Sequence, residues 1–233
     1  KKRKLAPSKL KKEYKADNIK GVYIPYWSYD TNTMSTYTGQ AGDYYFAPET
    51  YTTTSNGRTE TRTRQVQKVR WRFVAGTYDK AFDDIIFNDS GTLDQKMIER
   101  IEPYQLNELL HYNPRFLVGF AAERYKNGLK AVWERAKKFI ANVLMTDIKA
   151  IIGRSCDVVG NVNVNTTYKD IKYKHMLLPV WISSYRFKKK VYNFYINGQT
   201  GEVQGKAPKS IVKIGAIILI IIAIIVALYF IFR

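Results

Sequence analysis

The sequence predicts an α+β fold in which antiparallel sheet units stand before and after a helical middle, followed by one C-terminal transmembrane helix. Three observations lead to this fold class. Segments rich in aromatic and β-branched residues occur near both ends of the body. A long amphipathic stretch of helical period lies between them. The last stretch of the chain is almost wholly apolar.

The apolar stretch from Ile214 to Phe232 contains no charged residue. As a helix it would extend over roughly 28 Å, close to the hydrocarbon thickness of a bilayer. Lysines precede it and only Arg233 follows, so the positive-inside rule places the body in the cytoplasm. We therefore predict a single-pass protein of the cell membrane. Five positions mark the predicted anchor: Ile214, Ile218, Ile222, Val226 and Phe230.

The chain is strongly basic. It carries 38 Lys and Arg against 20 Asp and Glu, a net charge of +18. Such a surplus favours contact with anionic lipid head groups, nucleic acid or an acidic protein, and it does not choose among them. Cys156 is the only cysteine, which excludes an intrachain disulfide.

Composition shifts divide the chain into six segments. They are a basic arm or helix at 1–20, an antiparallel β region at 21–90, a helical region at 91–153, a β-hairpin region at 154–204, a linker at 205–213 and the transmembrane helix at 214–232.

The β region opens with a predicted strand at Val22 to Tyr29, which Pro25 pushes toward a sheet edge or a bulge. Farther on, Arg58 to Phe73 alternates with a period of two. Its odd face ends in Val69, Trp71 and Phe73, which we predict to face a core while the basic even face points away.

The basic face has two interpretations. Rows of cations on strands commonly keep a solvated edge from pairing with other sheets. The functional alternative is a surface that binds anions or lipid head groups. Because Trp71 and Phe73 lie on the opposite face, they cannot stack on bases held by these cations, which weakens a role in binding single strands. The candidate residues are Arg62, Arg64, Arg70 and Arg72, with Lys188, Lys189 and Lys190 from the C-terminal β region.

Helix signals fill the middle of the chain. Thr92 and Gln95 fit a capping box, and Asn113 followed by Pro114 is a second helix start. The longest amphipathic pattern runs from about Leu129 to Ile152, and Gly153 supplies a stop. A stripe of this kind is typical of a helix packed on a sheet.

Strand signals return after the long helix. Val162 and Val164 alternate with asparagines, and Asn197-Gly198 predicts a turn between a strand at Val191 to Ile196 and a short strand around Glu202 to Val203. An apolar-Pro-x-Trp pattern at 24–27 recurs at 178–181. It indicates either two related sheet units or a coincidence.

Signatures of catalysis are missing from the sequence. It contains no GxxxxGK[ST], HExxH or GxSxG motif. Cys156 could pair with His175 as nucleophile and base, but a lone cysteine near a strand is usually a small core residue. With His111 added, these residues are still too few and too scattered for a zinc site. The acidic pairs, Asp83-Asp84 and Glu99 with Glu102, are interpreted as helix-start or solvent contacts. We therefore predict no enzyme and no catalytic, cofactor or metal residue.

Four segments together resemble a known family: Gly21 to Asp30, IEPY at 101–104, NPRFLVGFAAERY at 113–125, and His175 to Pro208. They look like bacterial membrane proteins with an amino-terminal zinc ribbon, often labelled primosomal-helicase-like. YINGQTGEV at 195–203 also resembles the α+β repeats of peptidase-associated propeptide modules. Family members carry Cys-x-x-Cys pairs ahead of this region, so zinc would belong only to a ribbon outside this sequence.

The resemblance implies a bacterial origin and a place among membrane-organising proteins, including flotillin-like ones. The expected function is a non-enzymatic, membrane-anchored cytoplasmic scaffold or adaptor in a membrane-protein assembly. Its expected partners are the membrane and other membrane proteins, and self-association is compatible with them. The alternative is a membrane-tethered nucleic-acid-binding protein, and a hydrolase is the third hypothesis.

Overall fold

The computed structural model describes residues 17–55, 58–187, 190–206 and 211–231. Most of the basic arm, with Lys188 and Lys189, lies outside these ranges. The elements in chain order are β1 (Asp17–Ser55), β2 (Arg58–Asn88), α1 (Gln95–Ile98), 3-10 turns at Glu99–Ile101, Leu106–Glu108 and Pro114–Leu117, β3 (Ala121–Ala122), α2 (Leu129–Gly153), β4 (Val158–Phe187), β5 (Lys190–Asn197), β6 (Val203–Gly205) and α3 (Ile211–Ile231).

The chain forms two compact units. The helix-packed unit consists of Trp27–Phe87 and Asn127–His175. The hairpin unit consists of Lys1–Tyr26, Asn88–Lys126 and Met176–Arg233. The long strands β1 and β4 each contribute residues to both units, so the chain passes from one unit to the other within a strand.

The predicted fold class is wrong in its arrangement of sheets. The structure is mostly antiparallel sheet, with 56% of residues in strands and 26% helical. In the helix-packed unit the strand order is β2-β1-β4, so a strand from after the helical middle lies beside a strand from before it. Separate sheet units before and after the helices were expected because hydrophobic period reveals strands but not their distant hydrogen-bonded neighbours.

Helix α2 supplies the core of the helix-packed unit, as its apolar period predicts. Its buried residues recur every four positions, which aligns them along one side of the helix. They form three successive clusters, with Tyr29 in the first, Phe82 in the second and Ala41 in the third. The buried α2 residues are Val132, Ala136, Ile140, Leu144, Ile148 and Ile152.

The facing of β2 is opposite to the prediction. Val74 and Tyr78, at even positions, pack on the clusters beneath α2. Trp71 and Phe73, at odd positions, have exposed fractions of 45% and 73%. The even face therefore carries the core and, earlier along the strand, the arginines. Alternation identified the two faces of β2, but only the packing of α2 decided which one is covered.

Strand β4 keeps its apolar residues on the core by a local irregularity. Val162 and Val164 pack against the third cluster, as predicted, and so does Val159. Residues three apart on a regular strand would point to opposite faces. Asn161, with a φ of 47°, breaks the alternation between Val159 and Val162, as a β-bulge does.

The hairpin unit contains the predicted turn at Asn197-Gly198. Strand β5 pairs antiparallel with β4, from Val180 opposite Asn197 to Phe187 opposite Lys190. It also pairs antiparallel with β6, where Ile196 lies opposite Val203. The short β3 lies parallel to β1.

The two proline patterns occupy matching hydrogen-bond environments in the hairpin unit. The N–H of Asp89 donates to the carbonyl of Pro25 at 3.0 Å, and the N–H of Gly198 donates to the carbonyl of Pro179 at 2.9 Å. Each donor follows a buried asparagine, Asn88 or Asn197, whose Oδ1 accepts the N–H two residues later. Both prolines lie in one unit and in one sheet, so the patterns mark a shared local environment and not two separate sheet units.

Two predicted helix starts have different outcomes. The side chain of Asn113 caps a 3-10 turn by accepting the N–H of Arg115 at 3.0 Å. Helix α1 has no side-chain cap, and Thr92 instead bonds Glu123. The capping box is absent because α1 begins at Gln95 with Asp94 at its N-cap, so Thr92 lies two residues ahead of the capping position.

The C-terminal helix corrects the membrane prediction. Four of the five predicted anchor side chains on α3 are exposed, and that of Ile214 lies outside the described residues. In the described part of the chain, no helix combines the length and the apolar character that crossing a bilayer needs. The predicted single-pass transmembrane helix is therefore wrong.

Candidate interaction surface

The candidate arginines lie on a two-stranded ribbon, residues 43–55 of β1 and 58–73 of β2. Arg72 Nε lies 3.7 Å from Asp43 Oδ2. The guanidinium of Arg70 lies 5.3 Å from the ring centre of Tyr45. Such cross-strand pairs place even positions of β2 beside odd positions of β1. We call this side of the ribbon the arginine face.

Carboxylates neutralise part of the arginine face. Glu60 pairs with Arg62 at 3.0 Å, and Glu49 pairs with Arg64 at 2.7 Å. Together with the pair between Asp43 and Arg72, three of its cations have acidic partners. All of these side chains are substantially exposed, so each pair contributes at most about 1 kcal/mol and an incoming anion can exchange with it.

Two cations of the arginine face have no such partner. Within the described residues, no carboxylate lies within ion-pair distance of Lys68 or Arg70. Arg72 differs again, because it also donates to the backbone oxygen of Ser155, just beyond the end of α2. Lys68 and Arg70 are thus the cations most open to a partner.

The opposite side of the ribbon, the aromatic face, exposes four large rings. Phe46 and Phe73 have exposed fractions of 71% and 73%. Glycines make room for one of the rings, since a Cβ at Gly42 would lie 2.8 Å from the indole of Trp71. A contiguous exposed apolar patch commonly marks a contact surface. The four rings are those of Tyr44, Phe46, Trp71 and Phe73.

Sequence reasoning missed the tyrosines that share the arginine face. Tyr51 lies under the guanidinium of Arg64, 5.2 Å from it, as Tyr45 does under Arg70. The alternation of β2 identifies the arginines but not their neighbours on β1. The dipeptide Asn56-Gly57 is a strong hairpin signal. It predicts that 43–55 pairs with 58–73, which would have identified the tyrosines as neighbours of the arginines.

The other predicted binding residues are dispersed. Lys190 is exposed at the start of β5, while Lys188 and Lys189 lie outside the described residues. The Sγ of Cys156 lies 3.4 Å from the carbonyl oxygens of both Ile152 and Val158, so its single S–H can donate a weak hydrogen bond to either, and the side chain packs on the third core cluster. This environment fits a small core residue.

An acidic cluster in the helix-packed unit is occupied by a lysine. Asp30, Asp83 and Asp84 approach closely enough to share a cation. Lys174 Nζ lies 3.0 Å from Asp84 and 3.6 Å from Asp30. Its hydrogen bond to Asp84 raises the pKa of the ammonium group. The cluster is therefore a structural ion pair.

Glu102 corrects the interpretation of the acidic pairs. In the hairpin unit its half-buried carboxyl group accepts a hydrogen bond from Tyr26 Oη at 3.3 Å. Burial is the main cause that raises the pKa of Glu102 to about 7, and the charge of Glu99 adds to it. Burial likewise raises the pKa values of Tyr26 and Tyr104 above the usual range.

Comparison with curated proteins finds a distant similarity to a bacterial protein. The chain is 27% identical over 212 residues to the uncharacterized protein YdjG of Bacillus subtilis (strain 168). The match covers 86% of this chain and 56% of the relative, so the chain spans about half the length of that protein. No protein-family model matches the chain. No solved structure matches it either.

Proposed function

We propose that the protein is a non-enzymatic adaptor that joins macromolecules through the ribbon of β1 and β2. The observation that carries the proposal is the aromatic face, where Phe46 and Phe73 are mostly exposed and Tyr44 and Trp71 are about half exposed. Burying such rings is the largest gain available to a protein contact, since Phe and Trp each cover 150–250 Å² or so. The sequence resemblance to bacterial membrane proteins with a zinc ribbon is the other argument for an adaptor.

Several earlier expectations remain predictions beside this proposal. They are the assignment to the zinc-ribbon family, a bacterial membrane-protein assembly as the partner class, self-association, and a cytoplasmic position at the cell membrane.

Loss of the exposed rings is expected to abolish partner capture. The tagged full chain, crosslinked in its native cells and purified, should retain partner proteins in fixed ratio. The double variant F46A/F73A should retain them at least about tenfold less, because each truncated ring removes contact area without disturbing a core. The measurement is quantitative mass spectrometry of the crosslinked fraction.

L110A is the matched control, because Leu110 is also an exposed apolar residue, with an exposed fraction of 77%. It should leave capture unchanged. Recovery of the wild-type chain alone, or equal recovery of partners with F46A/F73A, would refute the adaptor.

Nucleic acid is the second candidate partner. The observation that favours it is the layering of Arg64 on Tyr51 and Arg70 on Tyr45, which joins phosphate-binding cations to aromatic rings on one face. The carboxylates on the same face oppose it, because they repel a polyanion.

If nucleic acid binds here, the full chain should bind a single-stranded DNA or RNA fragment with an affinity that falls steeply with salt. Reversing four charges, in R62E/R64E/R70E/R72E, should weaken that affinity at least about tenfold. Fluorescence anisotropy at several salt concentrations measures both effects. No binding at low salt would remove this candidate.

A further inference from the structure

We propose that the outer edge of β2, from Arg62 to Phe73, accepts an added strand from an acidic polypeptide whose residues alternate between acidic and apolar. This inference rests on the adaptor function and names its docking edge and the chemistry of its partner.

The edge itself is open. Within the described residues β2 pairs with β1 and with no other strand, so one row of its backbone N–H and C=O groups has no ladder partner. Extended peptides add to such edges through main-chain hydrogen bonds, and their side chains set specificity. Edge strands that must stay unpaired are commonly shortened, covered or lined with charges. Strand β2 is 31 residues long, and its row of cations opposes pairing with a basic strand but not with an acidic one.

The two faces of the ribbon specify an alternating partner. Side chains of an added strand would point alternately to the arginine face and to the aromatic face. Acidic residues would lie beside Lys68 and Arg70, which have no carboxylate partner. Apolar residues would lie beside Trp71 and Phe73, which are exposed. An added strand must place acidic side chains on the arginine face and apolar side chains on the aromatic face along its whole length. A polypeptide with its acidic residues in one block cannot do both.

The same charges argue against a second copy of this chain as the added strand. Antiparallel pairing of β2 with itself would set cations against cations along most of the arginine face, for example Arg62 against Arg70 when the pair is centred on Val66. Like charges directly opposite each other destabilise a strand pair. The charge of this edge therefore selects an acidic partner and rejects self-pairing.

A synthetic peptide of alternating glutamate and valine, about ten residues long, tests the proposal on the full chain. We expect saturable binding that weakens as salt increases, measured by fluorescence anisotropy of a labelled peptide. Hydrogen exchange of the complex should show new amide protection in 62–73. A peptide of the same composition, with its glutamates in one block, should bind at least about tenfold more weakly because its side chains cannot match both faces.

Charge reversal locates the site. K68E/R70E should weaken binding of the alternating peptide at least about tenfold, while K138E/K149E, which reverses two exposed cations of α2, should change it less than about twofold. Circular dichroism verifies that both double variants remain folded.

Three results would overturn strand addition: no binding of the alternating peptide, equal binding of the blocked peptide, or new protection confined to other segments. The adaptor function would survive any of them if F46A/F73A still loses its captured partners. Conversely, peptide binding at this edge with no partner captured in cells would refute the adaptor while leaving the docking chemistry intact.

Discussion

Replacing Asn197 with alanine is expected to lower the free energy of unfolding by about 3 kcal/mol. Asn197 is buried, and its Nδ2 donates to the carbonyls of Ile101 and Pro103 at 2.9 and 3.2 Å. Its Oδ1 accepts the N–H groups of Gln199 and Thr200 at 2.8 and 3.0 Å. Alanine would remove all four hydrogen bonds. The bond to the carbonyl of Ile101 is buried and the other three are partly buried, and each buried group left unsatisfied carries a desolvation cost.

Urea denaturation of the full chain, followed by circular dichroism, measures the change. Asn193 is the matched control, because it lies on the same strand with its side chain exposed. N193A should change the unfolding free energy by less than about 0.5 kcal/mol. Hydrogen exchange should also show faster opening at Gln105, whose N–H donates to the side chain of Gln199 at 2.7 Å. Equal stability of N197A and N193A would contradict the prediction.

Replacing Glu102 with glutamine is expected to stabilise the protein at pH 8 and to leave its stability almost unchanged at pH 4. Burial raises the pKa of Glu102 from 4.5 to about 7, so the folded protein holds this proton more tightly than the unfolded chain does. The contribution of this group is therefore fully present below pH 4.5 or so and is lost as the pH rises through about 7. Glutamine stays neutral and avoids that loss.

We expect E102Q to exceed the wild type by about 1 to 2 kcal/mol at pH 8, an amount reduced by the partial exposure of the group. Urea midpoints at pH 4, 6 and 8 measure the difference. E99Q is the control, because Glu99 is exposed and influences Glu102 only through its charge. The prediction would be contradicted if the difference in unfolding free energy between E102Q and the wild type were the same at pH 4, 6 and 8.

Residues 101–104 show how far local patterns reach. The sequence marked them as part of a shared motif and interpreted the nearby carboxylates as solvent contacts. In the structure, Tyr104 Oη donates to the carbonyl of Pro179 at 3.4 Å and Asn197 binds the backbone on both sides of Glu102. These partners lie about 75 to 95 residues away along the chain, and no spacing within the motif could reveal them.

The sequence by itself determined the elements that depend on neighbours along the chain. Helix α2 follows from its apolar period, the β5–β6 turn from Asn197-Gly198, and the alternation of β2 from its charges. Propensity and side-chain period act over a few residues, so the sequence states them directly.

Only the tertiary structure decided the features that depend on distant partners. It placed β4 beside β1, turned the even face of β2 toward α2, brought Tyr45 and Tyr51 under the arginines, and half-buried Glu102 against the hydroxyl of Tyr26. The apolar run that predicted a transmembrane helix did not yield a spanning helix in the described residues. These cases share one physical reason. Which face of a strand is buried, and which strand lies beside it, depends on the other segments that can cover it or pair with it, and those segments lie far away along the chain.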